Sequence, residues 1–340
     1  MTMDFIRNPL VVFVEVTRAC LLSCRHCRAN AIPKRDPREL KLNEMESLAD
    51  DLLGFDTKPL IIITGGDPLM RNDILDIIDI FKDRDLRLAI SFSGTALATE
   101  EKILEISKRV DSIAISIDGS NSEIHDNFRN VNGTFDTSMK IINYVKNKTN
   151  LQINTTLSKH NINDLENMYY LLKENGIRSW DIFFLVPTGR ATDALSLDKD
   201  EIIYALNFIY DVHSRGDIRI KTTEAPFYNR KKLEGEKKLP VTRDSNGLGV
   251  TDGRGTLFIS HIGDIYPTGF LPLKGGNVRD ANVIDVYRNS EIFRKLKDPS
   301  LLKGKCGRCP YKSICGGSRS RAYALSGDYL DEDPACPYEV

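Results

Sequence analysis

Between Cys27 and Cys306 the chain has no cysteine, a gap of 278 residues. Its seven cysteines all fall into two groups near the two ends. An odd count excludes complete disulfide pairing, and scattered structural thiols do not segregate in this way. The chain also lacks a dominant charge. Its 47 Lys and Arg balance 48 Asp and Glu to a net charge of −1, so no global field gathers nucleic acid or anionic lipid. Long apolar runs are missing as well. Residues 10–14 are apolar, but Glu15 follows at once, and a bilayer span needs roughly 20 such residues. No signal peptide opens the chain, because Asp4 and Arg7 interrupt the start and no apolar core follows. The expected location is the cytoplasm, with no membrane or nucleic-acid partner. There, clustered thiols read as metal or redox ligands.

What is present suits a globular protein, with 41% apolar and 28% charged residues. A chain of 340 residues forms one large domain or two. No repeat of fixed period and no low-complexity linker divides it. Short apolar runs alternate with longer amphipathic stretches over roughly the first 220 residues, the pattern of βα units around a parallel sheet. Candidate strands span 11–16, 60–64, 88–91, 112–117, 151–156 and 179–185. Each is rich in Ile, Val, Leu or Phe, as a sheet covered by helices requires. Asn43 is the expected cap of a helix reaching Leu53. Residues 72–81 form a second. Thr99 opens a third, with Glu100 and Glu101 in its first turn, and Asn163 caps a fourth carrying Leu165, Met168, Leu171 and Leu172. Residues 198–213 form one more. About six βα units suit an open, partial TIM-like barrel, an α/β fold, better than a closed eight-unit one. After residue 215 Gly and Pro become frequent. Gly253 and Gly263 mark turns around a hairpin of 256–260 with 265–266, and a helix is expected at 283–297. The expected division is a barrel over 1–215 and a packed carboxy-terminal unit over 216–340.

Cys20, Cys24 and Cys27 follow the first strand in a C-x3-C-x2-C run. The loop at that strand's carboxyl end is where βα architectures build active sites. Three thiols leave a tetrahedral site one ligand short. Zinc is the structural alternative, but it prefers four protein ligands and paired C-x2-C hooks. A [4Fe–4S] cluster with one iron open fits better.

This run resembles the signature of radical S-adenosylmethionine enzymes. The resemblance implies that Cys20, Cys24 and Cys27 hold a [4Fe–4S] cluster whose fourth iron is chelated by the amino and carboxylate groups of S-adenosylmethionine. It implies reductive cleavage to a 5′-deoxyadenosyl radical, which abstracts a substrate hydrogen. His26 occupies the usually aromatic position beside the cofactor. Thr64-Gly65-Gly66-Asp67-Pro68 matches the family's GGE/DP motif. Its glycines admit close approach of a ligand amine, and Pro68 holds the preceding residue extended. Ser93-Gly94-Thr95 resembles a polar-Gly-Thr stretch. Ser116-Ile117-Asp118-Gly119, with His125, Phe128 and Arg129, resembles an S-x-D-G…H-D-x-x-R stretch. Ser116 would contact the cofactor ribose and Arg129 its carboxylate. Asn154 and Leu185 with Val186 would line the adenine. For His125 and Asp126, local capping or surface roles are expected.

Cys306, Cys309, Cys315 and Cys336 supply four thiols in a C-x2-C-x5-C-x20-C run, enough to close a site. A zinc ribbon is the alternative. The run resembles the SPASM/twitch extension of the same family, which carries auxiliary [4Fe–4S] clusters. The full pattern needs more cysteines. Thr268, Ser318 and Arg319 stand where relatives carry further ligands, so one auxiliary cluster, fully ligated by protein, is implied. Its role would be electron transfer or support. The run 316–321 would bring backbone donors and Arg319 and Arg321 near the cluster or a substrate carboxylate, or else form a solvated loop.

The resemblance spans nearly the whole chain and includes peptide maturases and tetrapyrrole enzymes of alternative heme synthesis. Only 19 residues precede Cys20, which leaves no room for the leader-recognition domain of some maturases. The single auxiliary site resembles the heme branch, whose substrates bear propionate or acetate arms. Arg190, Lys221, Arg254, Arg319 and Arg321 would meet such carboxylates, or are surface cations. The expectation is a tetrapyrrole precursor undergoing oxidative decarboxylation or side-chain removal, with ferredoxin or flavodoxin as electron donor. A ribosomal peptide substrate is the alternative. A zinc-stabilised, non-catalytic binding protein is the alternative of another class.

Overall fold

The computed structural model describes residues 4–237 and 249–340. Among these residues ten strands form one sheet: β1 (Val11–Glu15), β2 (Leu60–Thr64), β3 (Arg87–Phe92), β4 (Ser112–Ser116), β5 (Asn150–Leu157), β6 (Ser179–Phe184), β7 (Arg219–Thr223), β8 (Thr256–Ile259), β9 (Asp264–Tyr266) and β10 (Gly276–Asn277). Their order is β10-β9-β8-β1-β2-β3-β4-β5-β6-β7. Pairing is parallel from β8 through β7 and antiparallel for β9 and β10. The two edges, β7 and β10, do not pair with each other, so the barrel is open.

The six expected strands stand where the apolar runs placed them, and two more extend the parallel set. β7 is an edge strand in which Ile220 alone is buried, too little apolar signal to stand out in sequence. β8 forms the expected hairpin with β9, but its other edge pairs parallel with β1, Val11 opposite Thr256. Local patterning carries no trace of a pairing between residues so far apart.

Among the described residues twelve helices accompany the strands: α1 (Leu42–Leu53), α2 (Ile74–Lys82), α3 (Glu100–Ser107), α4 (Ser122–Arg129), α5 (Thr134–Val145), α6 (Leu165–Glu174), α7 (Lys199–Arg215), α8 (Tyr228–Gly235), α9 (Val283–Asn289), α10 (Glu291–Lys297), α11 (Gly304–Arg308) and α12 (Arg319–Ser326). Two caps and one helix need correction. Lys41, not Asn43, precedes α1, and its backbone N–H donates to the Glu44 carboxylate at 2.8 Å. Asp164, not Asn163, precedes α6, because a 3-10 turn over Ile162–Asp164 comes first. The expected helix at 283–297 breaks at Ser290, whose backbone is extended. Thr99 caps α3 as expected, accepting the Lys102 N–H.

The helices bury Met45, Leu48, Ile77, Phe81, Ile103, Ile141 and Met168 against Val12, Val14, Ile61, Ile63, Ile90, Ile113 and Ile153 of the sheet. Each such side chain stabilises the fold by about 1.5–3 kcal/mol. This core holds the carboxyl ends of β1–β6 at one edge, where the cysteine loop, Gly65, Ser93, Ser116, Asn154 and Leu185 emerge. No helix among the described residues is long and apolar enough to cross a membrane.

Candidate active site

The loop after β1 folds back on itself. The Cys20 N–H donates to the Ile32 carbonyl at 2.9 Å, and the Ile32 N–H to Arg18 at 3.0 Å. Cys20, Cys24 and Cys27 are thereby gathered in one small apolar cluster with Leu22. The Cys20 sulfur accepts the Leu22 N–H at 3.3 Å, and the Cys27 sulfur the Ala31 N–H at 3.4 Å. Burial pushes the Cys20 thiol up to about 12, with Asp67 and the two other thiols adding to it. A metal that displaces the protons is what turns such thiols into ligands. Among the described residues no three His, Cys, Asp or Glu side chains are arranged to hold a single metal ion.

Gly65 and Gly66 form the floor under this loop. The Gly66 and Asp67 N–H groups donate to Thr17 and Ala19 at 2.8 Å each. A Cβ on Gly65 would stand 2.5 Å from the Thr17 carbonyl, and one on Gly66 2.4 Å from that of Ala19. Both glycines also line the cleft that opens beside the cysteines. The structural demand for them therefore comes first from the cysteine loop itself. Asp67 and Pro68 do not line the cleft. Asp67 is buried, accepting the Leu69 N–H at 3.0 Å and the Thr95 hydroxyl at 2.5 Å, and Pro68 begins a 3-10 turn.

Asp118 is the electrostatic hub. One carboxylate oxygen accepts the Thr156 N–H at 2.8 Å; the other lies 2.6 Å from Arg129 Nη2 and 3.5 Å from His26 Nε2. Burial alone would raise its pKa, but Arg129, His26 and His125 together bring it below the usual carboxylate value. Arg129 also reaches towards Cys24, with Nη1 3.9 Å from the sulfur. The His26 side chain is buried, which depresses its pKa to about 3 and keeps the ring neutral. It stacks on Phe128 at 3.9 Å, and Phe128 stacks on His160 at 4.7 Å. His125 is not at the surface. It is fully buried, and its Nδ1 accepts the Asp118 N–H at 3.0 Å. Asp126 does cap, accepting from Gly133, Thr134 and Phe135 at the start of α5.

His26, Ser93, Ser116, Arg129, Asn154 and Leu185 line the cleft with the three cysteines. The Ser93 hydroxyl donates to the Gly66 carbonyl at 3.0 Å, tying β3 to the glycine floor. Arg190 also lines the cleft, and it clamps the loop by donating to the Cys24 and Ala31 carbonyls at 2.8 Å each. The other expected carboxylate-binding cations have protein partners. Arg254, Arg319 and Arg321 are buried and donate to backbone carbonyls, and Lys221 lies 3.0 Å from Asp181. The run 316–321 is accordingly not a solvated loop. Arg28, which follows Cys27 directly, is a cleft residue that no motif marks in the sequence.

Cys306, Cys309, Cys315 and Cys336 do not line this cleft. The Asp333, Tyr311 and Gly317 N–H groups donate to Cys306, Cys309 and Cys315, each at 3.4 Å. Arg319 Nη2 lies 3.6 Å from the Cys306 sulfur. Burial raises the Cys315 pKa, and Cys336 and Cys306 add to it.

An AdoMet-dependent heme synthase of Oleidesulfovibrio alaskensis is 39% identical over 335 residues, which cover 96% of this chain and 86% of the relative. A protein of the same name from Methanosarcina barkeri is 36% identical over 340 residues and covers 97% of both. The structure of Streptococcus suis SuiB bound to the precursor peptide SuiA superposes with a TM-score of 0.74 at 16% identity, covering 97% of this chain and 76% of that one, a likeness of fold alone. The Radical SAM superfamily profile matches residues 14–172, the stretch that carries the cysteine loop, the glycine floor and the Asp118 hub. With that match and two relatives alike over nearly their whole length, the chain belongs to the radical SAM superfamily.

Proposed function

We propose that this enzyme acts in tetrapyrrole biosynthesis, removing or oxidatively decarboxylating side chains of an iron-porphyrin precursor, as a heme synthase of the S-adenosylmethionine-dependent type. The observation that carries this is near full-length likeness to the two heme synthases, with the gathered thiols and their cleft intact. The residues present fit a [4Fe–4S] cluster and S-adenosylmethionine. Three neighbouring thiols face a cleft, and His26 Nδ1, Arg129 Nε and Arg190 Nη2 around them are buried without a hydrogen-bond partner. Cys20, Cys24 and Cys27 would hold the cluster; Gly65, Gly66, Ser93, Ser116, Asn154 and Leu185 would flank S-adenosylmethionine. When bound, the pair supplies one-electron chemistry that ends in hydrogen-atom abstraction from the substrate. The chain's own contribution is placement. Arg190 and the glycine floor fix the loop, and Asp118 holds Arg129 and His26 in position behind Cys24. Exclusion of water by the His26–Phe128–His160 stack strengthens these contacts.

The carboxy-terminal unit over 216–340 is read as the seat of one auxiliary [4Fe–4S] cluster on Cys306, Cys309, Cys315 and Cys336. It would exchange electrons with a ferredoxin or flavodoxin in the cytoplasm. Anaerobic reconstitution with iron and sulfide tests the whole reading. About eight irons per chain are expected, with 5′-deoxyadenosine formed under reductant and iron-coproporphyrin losing carboxylate mass. Stoichiometric zinc without cofactor cleavage would overturn it, and turnover confined to a peptide substrate would overturn the tetrapyrrole assignment.

A further inference from the structure

Among the described residues three arginines line the cleft, and they differ in what their guanidinium groups already hold. Arg129 is paired with Asp118 at 2.6 Å. Arg190 donates to two carbonyls of the cysteine loop at 2.8 Å. Arg28 makes only long contacts, from Nη1 to Glu15 at 3.5 Å and to the Gly269 carbonyl at 3.4 Å. Its side chain is 19% exposed. Glu15 is shared, with Oε1 facing Arg28 at 3.5 Å and Oε2 held closer by His261 at 3.0 Å.

The guanidinium is nevertheless held in place. It lies over the Phe258 ring at 4.8 Å and beside that of Phe270 at 5.9 Å. Gly269 makes room for it, because a Cβ there would stand 2.8 Å from Nη1. Phe270 continues as a wall of the cleft, 6.5 Å from Phe183 across from it. A cation with donors held only at long range, stacked on one aromatic ring and flanked by a second, offers a planar fork to a carboxylate and a flat face to the body that bears it.

We propose that Arg28 is the specificity-determining residue of the cleft, the receptor for a carboxylate side chain of a flat aromatic substrate. This rests on the tetrapyrrole reading above and adds the atom group that recognises the substrate. Guanidinium suits carboxylate through two parallel N–H donors, and removing one such charge-assisted contact costs affinity about 10- to 100-fold.

The test uses reconstituted, anaerobic holoenzyme and iron-coproporphyrin, with its tetramethyl ester as the uncharged twin, followed by the Soret band. Arg28→Gln is expected to weaken free-acid binding about 10- to 100-fold while leaving ester binding as in the wild type. It should raise KM with kcat little changed, and Arg28→Lys should recover part of the affinity. Gly269→Ala, which crowds Nη1 without touching the charge, should weaken free-acid binding in the same direction and less. It carries the test should Arg28→Gln fail to take up iron. Free-acid affinity at the wild-type level in both Arg28→Gln and Gly269→Ala overturns the proposal. So does an equal loss for acid and ester, which would make Arg28 a matter of shape. A wild-type enzyme that binds neither porphyrin overturns the tetrapyrrole reading instead.

Discussion

The two cysteine groups differ in where their sulfurs look. The amino-terminal three share one short loop and face a cleft, and two of their sulfurs receive a backbone N–H. The carboxy-terminal four are spread over α11, the turn after it, the residue before the 316–321 run and the last few residues of the chain, and the sulfurs of Cys306, Cys309 and Cys315 each receive a backbone N–H. Each group has a buried arginine against one sulfur, Arg129 at 3.9 Å from Cys24 and Arg319 at 3.6 Å from Cys306. The settings of those arginines diverge. Arg129 borders the cleft and is balanced by a carboxylate, whereas Arg319 is enclosed by the Gly317, Tyr329 and Asp331 carbonyls. A ligand set one short beside a cleft suits chemistry on a bound molecule. A full set wrapped in protein donors suits storage or passage of an electron.

The largest expected effects come from breaking each group in turn. Cys24→Ala should abolish S-adenosylmethionine cleavage and leave about four irons per chain, those of the closed set. Cys315→Ala should also leave about four irons, yet retain reductant-driven cleavage while product formation is lost. Iron analysis with 5′-deoxyadenosine and porphyrin product measured on the same samples separates the two. Equal loss of cleavage in both variants would erase the functional difference.

Much of this contrast is legible in sequence, because it is local. C-x3-C-x2-C, the Gly65-Gly66 turn and the Ser116–Asp118 strand exit are short-range patterns, and together they carry the family resemblance that implies their chemistry. What escapes is set by distant partners. Arg28 reads as one more loop cation until Phe258 and Phe270 close on it from more than 200 residues away. In sequence Arg319 and Arg321 are either site cations or solvated ones in a Gly- and Ser-rich run; in the fold Asp333 and the carbonyls at the end of β6 hold Arg321, and the Gly317, Tyr329 and Asp331 carbonyls hold Arg319. β8 is similar. Its hairpin with β9 is visible, its parallel seat beside β1 is not.

A subtler break lies in the floor beneath the open group. Gly66→Ala places a methyl group 2.4 Å from the Ala19 carbonyl and 2.6 Å from that of Arg18, both backbone atoms of the cysteine loop. The loop must shift, at a cost of about 1–3 kcal/mol. The expected result is a lowered Tm and iron lost from the amino-terminal group alone, with the closed group's spectrum unchanged. Full iron at both groups would show that the glycine serves the ligand side of the cleft rather than the loop.

The last expected effect concerns the contact between the end of β7 in the barrel sheet and the 316–321 run. Glu224, just past β7, takes the Ser318 hydroxyl that also caps α12, while Asp252 accepts the Ser320 N–H at 2.7 Å. Burial first, and then the neighbouring Asp252 charge, push the Glu224 carboxyl well above its ordinary 4.5. A group whose folded pKa is raised contributes its full stability below the unfolded value and loses it as pH rises through the folded value. Stability should therefore decline from about pH 4.5 upward, by at most about 1.4 kcal/mol per pH unit until the carboxyl has lost its proton in the folded protein. Glu224→Gln keeps an acceptor for Ser318 and removes the charge, so it should flatten the decline in Tm measured between about pH 5 and 8. An unchanged slope would mean that the carboxyl is already relieved by Arg321, which donates to the Glu224 carbonyl at 2.8 Å. The contact would then be ionic rather than neutral, and the closed group would be tethered to the barrel by charge.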